Sequence, residues 1–183
     1  MNQLNENNLI DRCRRGESAA FGPLVKIYKN RLFSYLFKIS GDRNMAEDIF
    51  QETLIKVWKG FSRYSEQSRF SSWLFSIAHN TAMDSIRKKN SNKFVELVEE
   101  PDNFLGNSNP LKELVDKEVS KNISAAVDHL SPKQREVFLL RTYGEMTFKE
   151  ISELTDEPLN TVLSHMHYSV KKLRNILRFE DAE

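Results

Sequence analysis

A chain of 183 residues allows one or two compact domains, and 39% apolar with 29% charged residues is the balance of an ordinary soluble protein. The single cysteine, Cys13, excludes an internal disulfide and a cysteine-rich zinc site; it fits a reducing compartment, with Cys13 as a small core residue. The net charge of +1 hides an uneven distribution: residues 1–90 carry 15 Lys+Arg against 9 Asp+Glu, residues 91–118 carry 3 against 7, and residues 119–183 carry 9 against 10, so a polyanionic partner is expected on the first half.

With only 6 Gly and 5 Pro, the composition favours helices over hairpins, and 12 Phe can fill two small cores. Residues 9–15 predict a short helix stopped by Gly16. Residues 17–39 predict a longer one, with Phe21, Leu24, Val25, Tyr28, Leu32, Tyr35, Leu36 and Ile39 at helical spacing. Gly41-Asp42 breaks it. Over about 44–60 a third helix carries a core stripe of Ala46, Ile49, Phe50, Thr53, Leu54 and Val57, continued by Phe61. A polar, aromatic loop from Ser62 to Phe70 leads to a helix over about 71–89. Residues 91–109, rich in Asn, Ser, Glu, Pro and Gly, predict a mobile linker.

Helical period resumes with Leu111, Leu114, Val115, Val119, Ile123, Ala126, Val127 and Leu130. Ser131-Pro132-Lys133-Gln134 offers an N-cap, a proline at the first helical position and a capping-box glutamine, and this helix stops at Gly144. Thr147-Phe148-Lys149-Glu150 is a second capping box, and Pro158 opens the final helix. The expected fold is all-α: two small helical domains, 4–91 and 111–179, joined by an acidic flexible linker over 92–110. The first residues lack the apolar run of a signal peptide and no segment is long enough to span a membrane. A cytoplasmic protein without membrane insertion is expected.

No catalytic, cofactor or metal site is expected. His165 and His167 sit two apart on a helix and point to different sides, so they do not share a metal. No phosphate-binding glycine loop or nucleophile elbow is present. Asp48 and Glu52 lie one turn apart without further ligands, as acids on a solvated helix face do.

Binding chemistry is present. From Phe61 to Trp73 aromatics, hydroxyls and arginines interleave; aromatic faces stack on unpaired bases while arginines hold phosphates. On the helix that follows, Trp73, Ser76, Asn80, Asp84 and Arg87 share one stripe, and Arg87-Lys88-Lys89 ends it. That stripe reads either as a nucleic-acid track or as a core edge in which Phe70 and Trp73 pack inward and the basic end answers the helix dipole. The segment from Thr147 to Arg174 reads either as a helix-turn-helix or as a plain helical hairpin. In the first case Val162, Met166, Val170, Leu173 and Leu177 pack on Ile151 and Leu154. Ser164, Tyr168, Lys171 and Asn175, with Thr161 and His167 beside them, then face a DNA groove.

Taken together, "MAEDIFQETLIKVWKGF", "RFSSWLFSIAHNTAMDSIRKK" and "LSPKQREVFLLRTYGEMTFKEISEL", in this order and spacing, resemble the extracytoplasmic-function sigma factors of bacterial RNA polymerase. The resemblance implies that the first domain binds the clamp of core polymerase and opens the −10 element of promoter DNA, and that the second reads the −35 element. It makes "AEDIFQE" the clamp-docking motif, so Asp48, Gln51 and Glu52 become polar contacts, with Ile55 and Lys59 on the same outward face. It assigns the −10 contacts to Arg63, Tyr64, Ser68 and Arg69 of the loop and to Trp73, Asn80, Arg87 and Lys88 of the next helix. For the −35 contacts it indicates Asn160, Thr161, Ser164, His167, Tyr168, Lys171, Lys172 and Arg174. An anti-sigma partner, which many members of the family have, is implied without being identified.

The chain departs from the family in two places. Leu163, His165, Tyr168 and Val170 stand where members often carry Lys or Arg, and Asp156 stands where the turn is often Gly. The rival readings are a free-standing helix-turn-helix regulator, which leaves the first domain unexplained, and a helical adaptor without a DNA role.

Overall fold

The computed structural model describes residues 3–65, 69–92 and 125–180, and every regular element among them is helical. The chain forms two compact units. The expected linker beyond residue 92, its expected mobility, the stripe from Leu111 to Ile123 and Ser68 lie outside the described residues.

The first unit is built from α1 (Gln3–Arg14), α2 (Phe21–Ser40), α3 (Arg43–Gly60) and α4 (Phe70–Asn92), with short 3₁₀ turns at Ser18–Ala20 and Phe61–Arg63. Helix α1 begins earlier than its apolar pattern indicates, because "QLNENN" has no hydrophobic period to reveal it. It is held by buried Leu9, Ile10 and Cys13 and by the Tyr28 hydroxyl, which donates to Glu6. Gly16 ends it with φ 83°. The helix expected over 17–39 is divided: the turn at Ser18–Ala20 precedes α2.

Each of the next three helices gives one stripe to a common core. Helix α2 buries Leu24, Tyr28, Leu32, Tyr35 and Leu36; α3 buries Ala46, Ile49, Thr53 and Val57; α4 adds Phe70, Leu74, Phe75, Ala78 and Ala82. Burying one large apolar side chain is worth roughly 1.5–3 kcal/mol, so this core dominates the domain's stability. A hydrogen bond of 2.9 Å between the Tyr35 hydroxyl and His79 Nδ1 crosses it, both residues being buried.

The junction of α2 and α3 is set by local chemistry. Gly41 adopts the left-handed region (φ 68°, ψ 10°) and its N–H donates to Phe37 O, closing α2. Asp42 is extended and accepts from Met45 N at 3.0 Å as the N-cap of α3. Its other carboxylate oxygen accepts from Lys89 Nζ at 2.7 Å, so Asp42 also ties down the end of α4.

In the second unit residues 125–128 are helical, followed by α5 (Pro132–Thr142), α6 (Phe148–Thr155) and α7 (Leu159–Glu180). Both capping boxes form. Ser131 N donates to Gln134 Oε1 at 3.2 Å and Gln134 N to Ser131 Oγ at 3.4 Å. Glu150 N donates to Thr147 Oγ1 at 3.2 Å, and Thr147 N donates back to Glu150 Oε2 at 2.6 Å. Ala126, Val127, Leu130, Val137, Leu139, Leu140, Ile151, Val162 and Leu173 make the core.

The Asp42 carboxylate is held below the usual carboxylate range, first by the hydrogen bond from Lys89 and then by the Met45 N–H. A group whose folded pKa is depressed stabilises above its unfolded value, about 3.9 for Asp, and loses that contribution as pH falls through the folded value. Asp42→Ala is therefore expected to cost about 1 kcal/mol at neutral pH, the usual scale of an N-cap, with the difference from the parent closing as pH falls below about 4. Lys89→Ala is expected to cost less, because that pair is partly exposed and screened by salt. Thermal denaturation of both variants between neutral and acid pH checks the ordering.

Candidate polymerase and nucleic-acid interfaces

Helix α3 sorts its side chains cleanly. Opposite the stripe buried against α2 and α4, Asp48, Gln51, Glu52, Ile55 and Lys59 are all exposed. Ile55 is 54% exposed on a face of otherwise polar groups, which is the pattern of an aliphatic anchor awaiting a partner. Glu52 pairs with Lys56 at 2.8 Å, and Lys56 Nζ also reaches Thr81 Oγ1 at 3.1 Å. The face thus offers a tethered acid, a second acid at Asp48 and an apolar centre, which suits a basic partner surface with an apolar pocket.

The aromatic stretch divides between core and surface. Phe61 and Phe70 stack at 5.5 Å with 17° between planes, and Tyr64 lies 4.9 Å from Trp73. Tyr64 is only 7% exposed. The structure therefore gives Tyr64 a packing role instead of a free face for a base; nothing in residue type separates a buried tyrosine from a stacking one. Phe70 is core, and Trp73 is half-buried between that cluster and the backbone of Gly60, where an added Cβ would stand 3.1 Å from Trp73 Cζ2. Gly60 thus gives the indole its seat. Arg63, Arg69, Asn80, Arg87 and Lys88 are exposed. Arg87 Nη1 lies 3.6 Å from Asp84 Oδ1, a loose surface pair. From Trp73 to Arg87 the helix rises about 21 Å, the length of about six nucleotides at 3.4 Å each.

In the second unit α6 and α7 meet across a tight turn. Asp156 sits in the left-handed region (φ 53°, ψ 39°) and its N–H donates to Ser152 O. Glu157 N donates to the same carbonyl at 3.2 Å, and Ser152 Oγ donates to Glu157 O at 2.5 Å. Asp does here what Gly does in many such turns, at a backbone cost that short polar side chains bear best. Pro158 O accepts from Thr161 N and Val162 N, so Pro158 stands as the cap just before α7. Lys133 bridges Glu136 and Glu157 at 3.1 Å each, fixing the turn against α5.

The buried stripe of α7 is rotated from the expected one. Val162 and Leu173 are buried and Met166 is half-buried, but Ser169 takes the place expected of Val170. Ser169 is fully buried, its hydroxyl 2.7 Å from His165 O and 3.2 Å from Gln134 O, whereas Val170 is 37% exposed. At 100° per residue position 169 falls in line with Val162, Met166 and Leu173, whereas position 170 lies to one side.

The opposite face carries Asn160, Ser164, His167, Tyr168, Lys171 and Arg174, all exposed, with Thr161 half-buried beside them. Ser164 Oγ donates to Asn160 O at 2.8 Å, so its oxygen is left to accept from a base amino group. Lys172 is committed elsewhere: its Nζ donates to His129 O at 2.6 Å. Lys171 and Arg174 keep their exposed places on this face. Lys149, on the exposed side of α6, is a further cation of this unit, 3.9 Å from Glu153.

Among the described residues, no group of His, Cys, Asp and Glu is arranged to hold a metal ion, and no helix is long and apolar enough to cross a membrane.

Comparison with known proteins gives the same division of the chain. The family model described as Sigma-70 region 2 matches residues 24–92, and the one described as Sigma-70, region 4 matches residues 120–173. The ECF RNA polymerase sigma factor SigW of Bacillus subtilis is 29% identical over 177 residues, which cover 92% of this chain and 95% of the relative. The ECF RNA polymerase sigma-E factor of Haemophilus influenzae is 26% identical over 181 residues, covering 94% and 95%. Among solved structures, the sigma factor RpoE of Bartonella quintana, in complex with the anti-sigma factor NepR, superposes with a TM-score of 0.68 at 20% identity, covering 86% of this chain and 96% of that one. CnrH, in complex with the cytosolic domain of CnrY, does so at 0.64 and 18%, covering 95% and 97%; these two likenesses speak to the fold. With region 2 and region 4 in order along one chain and relatives matched over nearly their whole length, the protein belongs to the extracytoplasmic-function sigma factors of RNA polymerase.

Proposed function

We propose that the chain is a specificity subunit that binds core RNA polymerase through the outer face of α3, engages the −10 element through the loop before α4 and α4 itself, and reads the −35 element through α7. The observation that carries this reading is the exposed face of Asp48, Gln51, Glu52, Ile55 and Lys59 on a helix whose other side is locked into the core. It is a ready docking surface that a free-standing regulator or an adaptor leaves without use. In this reading residues 4–91 are the polymerase and −10 domain, 92–110 the linker and 111–179 the −35 domain. The chain works as a binding subunit in the cytoplasm, without a cofactor. A protein inhibitor of the anti-sigma kind joins its partners, as NepR joins the Bartonella quintana relative.

Reversing charge at Asp48 and Glu52 together is expected to weaken core binding by about tenfold or more, equal to about 1.4 kcal/mol, with helicity unchanged. The lost Glu52–Lys56 pair costs the fold only about 0.3–0.5 kcal/mol. Ile55→Ala is expected to act in the same direction. Titration of labelled chain with core enzyme reads this; unchanged affinity in both variants removes the docking assignment.

Opening needs a base taken from the stack, at a cost of a few kcal/mol. Asn80→Ala and Arg87→Ala are expected to slow opening of duplex promoters while leaving binding to a pre-melted template nearly intact. Permanganate footprinting on the two templates checks the contrast, and equal effects on both would place these residues outside the opening step.

On α7, Lys171→Ala and Arg174→Ala are expected to weaken use of all promoters alike and to flatten the salt dependence, because phosphate contacts position without specifying. Ser164→Ala and Tyr168→Ala are expected to change which −35 sequences work, each lost base contact being worth roughly 1–3 kcal/mol. Transcription from a −35 library separates the two classes; an unchanged preference after Ser164 and Tyr168 substitution would show that another face reads the DNA.

A further inference from the structure

Of the five large apolar side chains exposed among the described residues, Ile55 belongs to the outer face of α3 and the other four lie on α7. At 100° per residue Leu159, Leu163 and Val170 fall within about 40° of one another, whereas Tyr168 stands on the far side of the exposed face. Leu159 is 44% exposed and Leu163 40%. A single exposed leucine is ordinary. Two leucines one turn apart at the start of a helix, in line with an exposed valine, form an apolar edge left open to solvent.

The surroundings of this edge say what fits it. Leu163 has Asn160 three residues before it and His167 four residues after it, both exposed and both its neighbours on the helix surface. From Leu159 to Phe179 the sequence contains no Asp or Glu, whereas Lys171, Lys172, Arg174 and Arg178 fall in the second half of α7. A face that is apolar along one edge, polar in the middle and free of carboxylates suits a polyanion that also presents apolar groups. The major groove of duplex DNA is such a surface, because the C5 methyl of thymine stands there beside the acceptors of the bases. Leu159 and Leu163 lie in the N-terminal part of α7, the part of such a helix that meets base edges. They are about 6 Å apart along the helix axis, a little under two base steps of about 3.4 Å each.

We infer that Leu163, with Leu159 before it, reads thymine methyl groups in the −35 element, so that part of the recognition is apolar contact and not hydrogen bonding. The inference rests on the −35 reading above, since α7 must enter the groove for either leucine to touch a base. One methyl buried against a leucine is worth about fourfold in affinity, or about 0.8 kcal/mol. Deoxyuridine lacks only that methyl and pairs as thymidine does, so it removes the contact and leaves the hydrogen-bonding edge unchanged.

The test uses full-length chain assembled with core polymerase. A −35 library gives the preferred element, and each thymine in either strand of it is replaced singly by deoxyuridine. The parent chain is expected to lose about fourfold in binding at the thymines the leucines touch. Leu163→Ala should lose nothing further at one of these positions and Leu159→Ala nothing further at another, alanine keeping the exposed helix intact. Leu163→Arg should give up the preference for T·A at its position and gain one for G·C, because a guanidinium bonds guanine O6 and N7. No loss at any deoxyuridine, a loss of equal size in the parent and both alanine variants, or a thymine preference kept by Leu163→Arg overturns the inference; so does a preferred element without thymine in either strand. If the alanine variants instead change core affinity or the mass of the free chain in solution, while deoxyuridine is without effect, a protein surface covers this edge and the inference is overturned. Ser164→Ala and Tyr168→Ala separate the two ideas. If they shift the −35 preference while deoxyuridine has no effect, the methyl contact alone fails. If neither they nor deoxyuridine have any effect, the −35 reading of α7 falls with it.

Discussion

The surface chemistry of the first domain depends on the locking of α3 between α2 and α4. Ala46, Ile49, Thr53 and Val57 recur at helical spacing and are buried together, so the rotation of α3 about its axis is not free. A one-residue change of phase turns a helix by about 100°, which would bring Asp48 or Glu52 toward an apolar interior where an unpaired carboxylate is strongly disfavoured. The same constraint that fills the core thus presents Ile55 and its acidic neighbours outward. Asp42 sets where that locked helix begins and, through Lys89, where α4 ends.

The second domain solves a similar problem with fewer apolar groups. Two capping boxes and a left-handed Asp156 define where its helices start and stop. Lys133, Glu136 and Glu157 then clamp the turn to α5. These are hydrogen-bonded devices, and they fix the angle at which α7 is presented more than they add bulk stability. With Lys172 holding His129 O, α7 keeps only a modest positive charge for DNA. An isolated domain with so little charge is expected to bind duplex weakly, because nonspecific affinity comes largely from neutralised phosphates. A chain that also grips polymerase does not need a tight one, since tethering raises the effective concentration of the second contact.

Much of this was legible in the sequence because caps and periodicity are local. Gly41-Asp42, Ser131-Pro132, Thr147–Glu150 and the Ala46–Val57 stripe each have a short-range cause, and each sits where that cause places it. What escaped depends on contacts between distant residues. Ser169 is buried instead of Val170 because α7 packs with Val162 and Leu173 inward, a phase that only its contact with the other helices sets. Tyr64 enters the core because Trp73, Phe61 and Phe70 converge on it. Lys172 is engaged by His129 O, a partner 43 residues away in the chain. Helix α1 extends back to Gln3 through residues without an apolar pattern. Helical positions were readable from spacing; which of their side chains stay exposed was settled by packing.

The central claim is that the exposed face of α3 and the two DNA-facing helices belong to one initiation subunit. Run-off transcription with purified core polymerase, with and without the full chain, on a pool of genomic fragments from the source organism tests it most directly. The account predicts new transcripts whose start sites share two spaced upstream elements, and their loss when the outer face of α3 is reversed in charge. Transcripts identical to those of core polymerase alone, from chain shown to be folded, would contradict it.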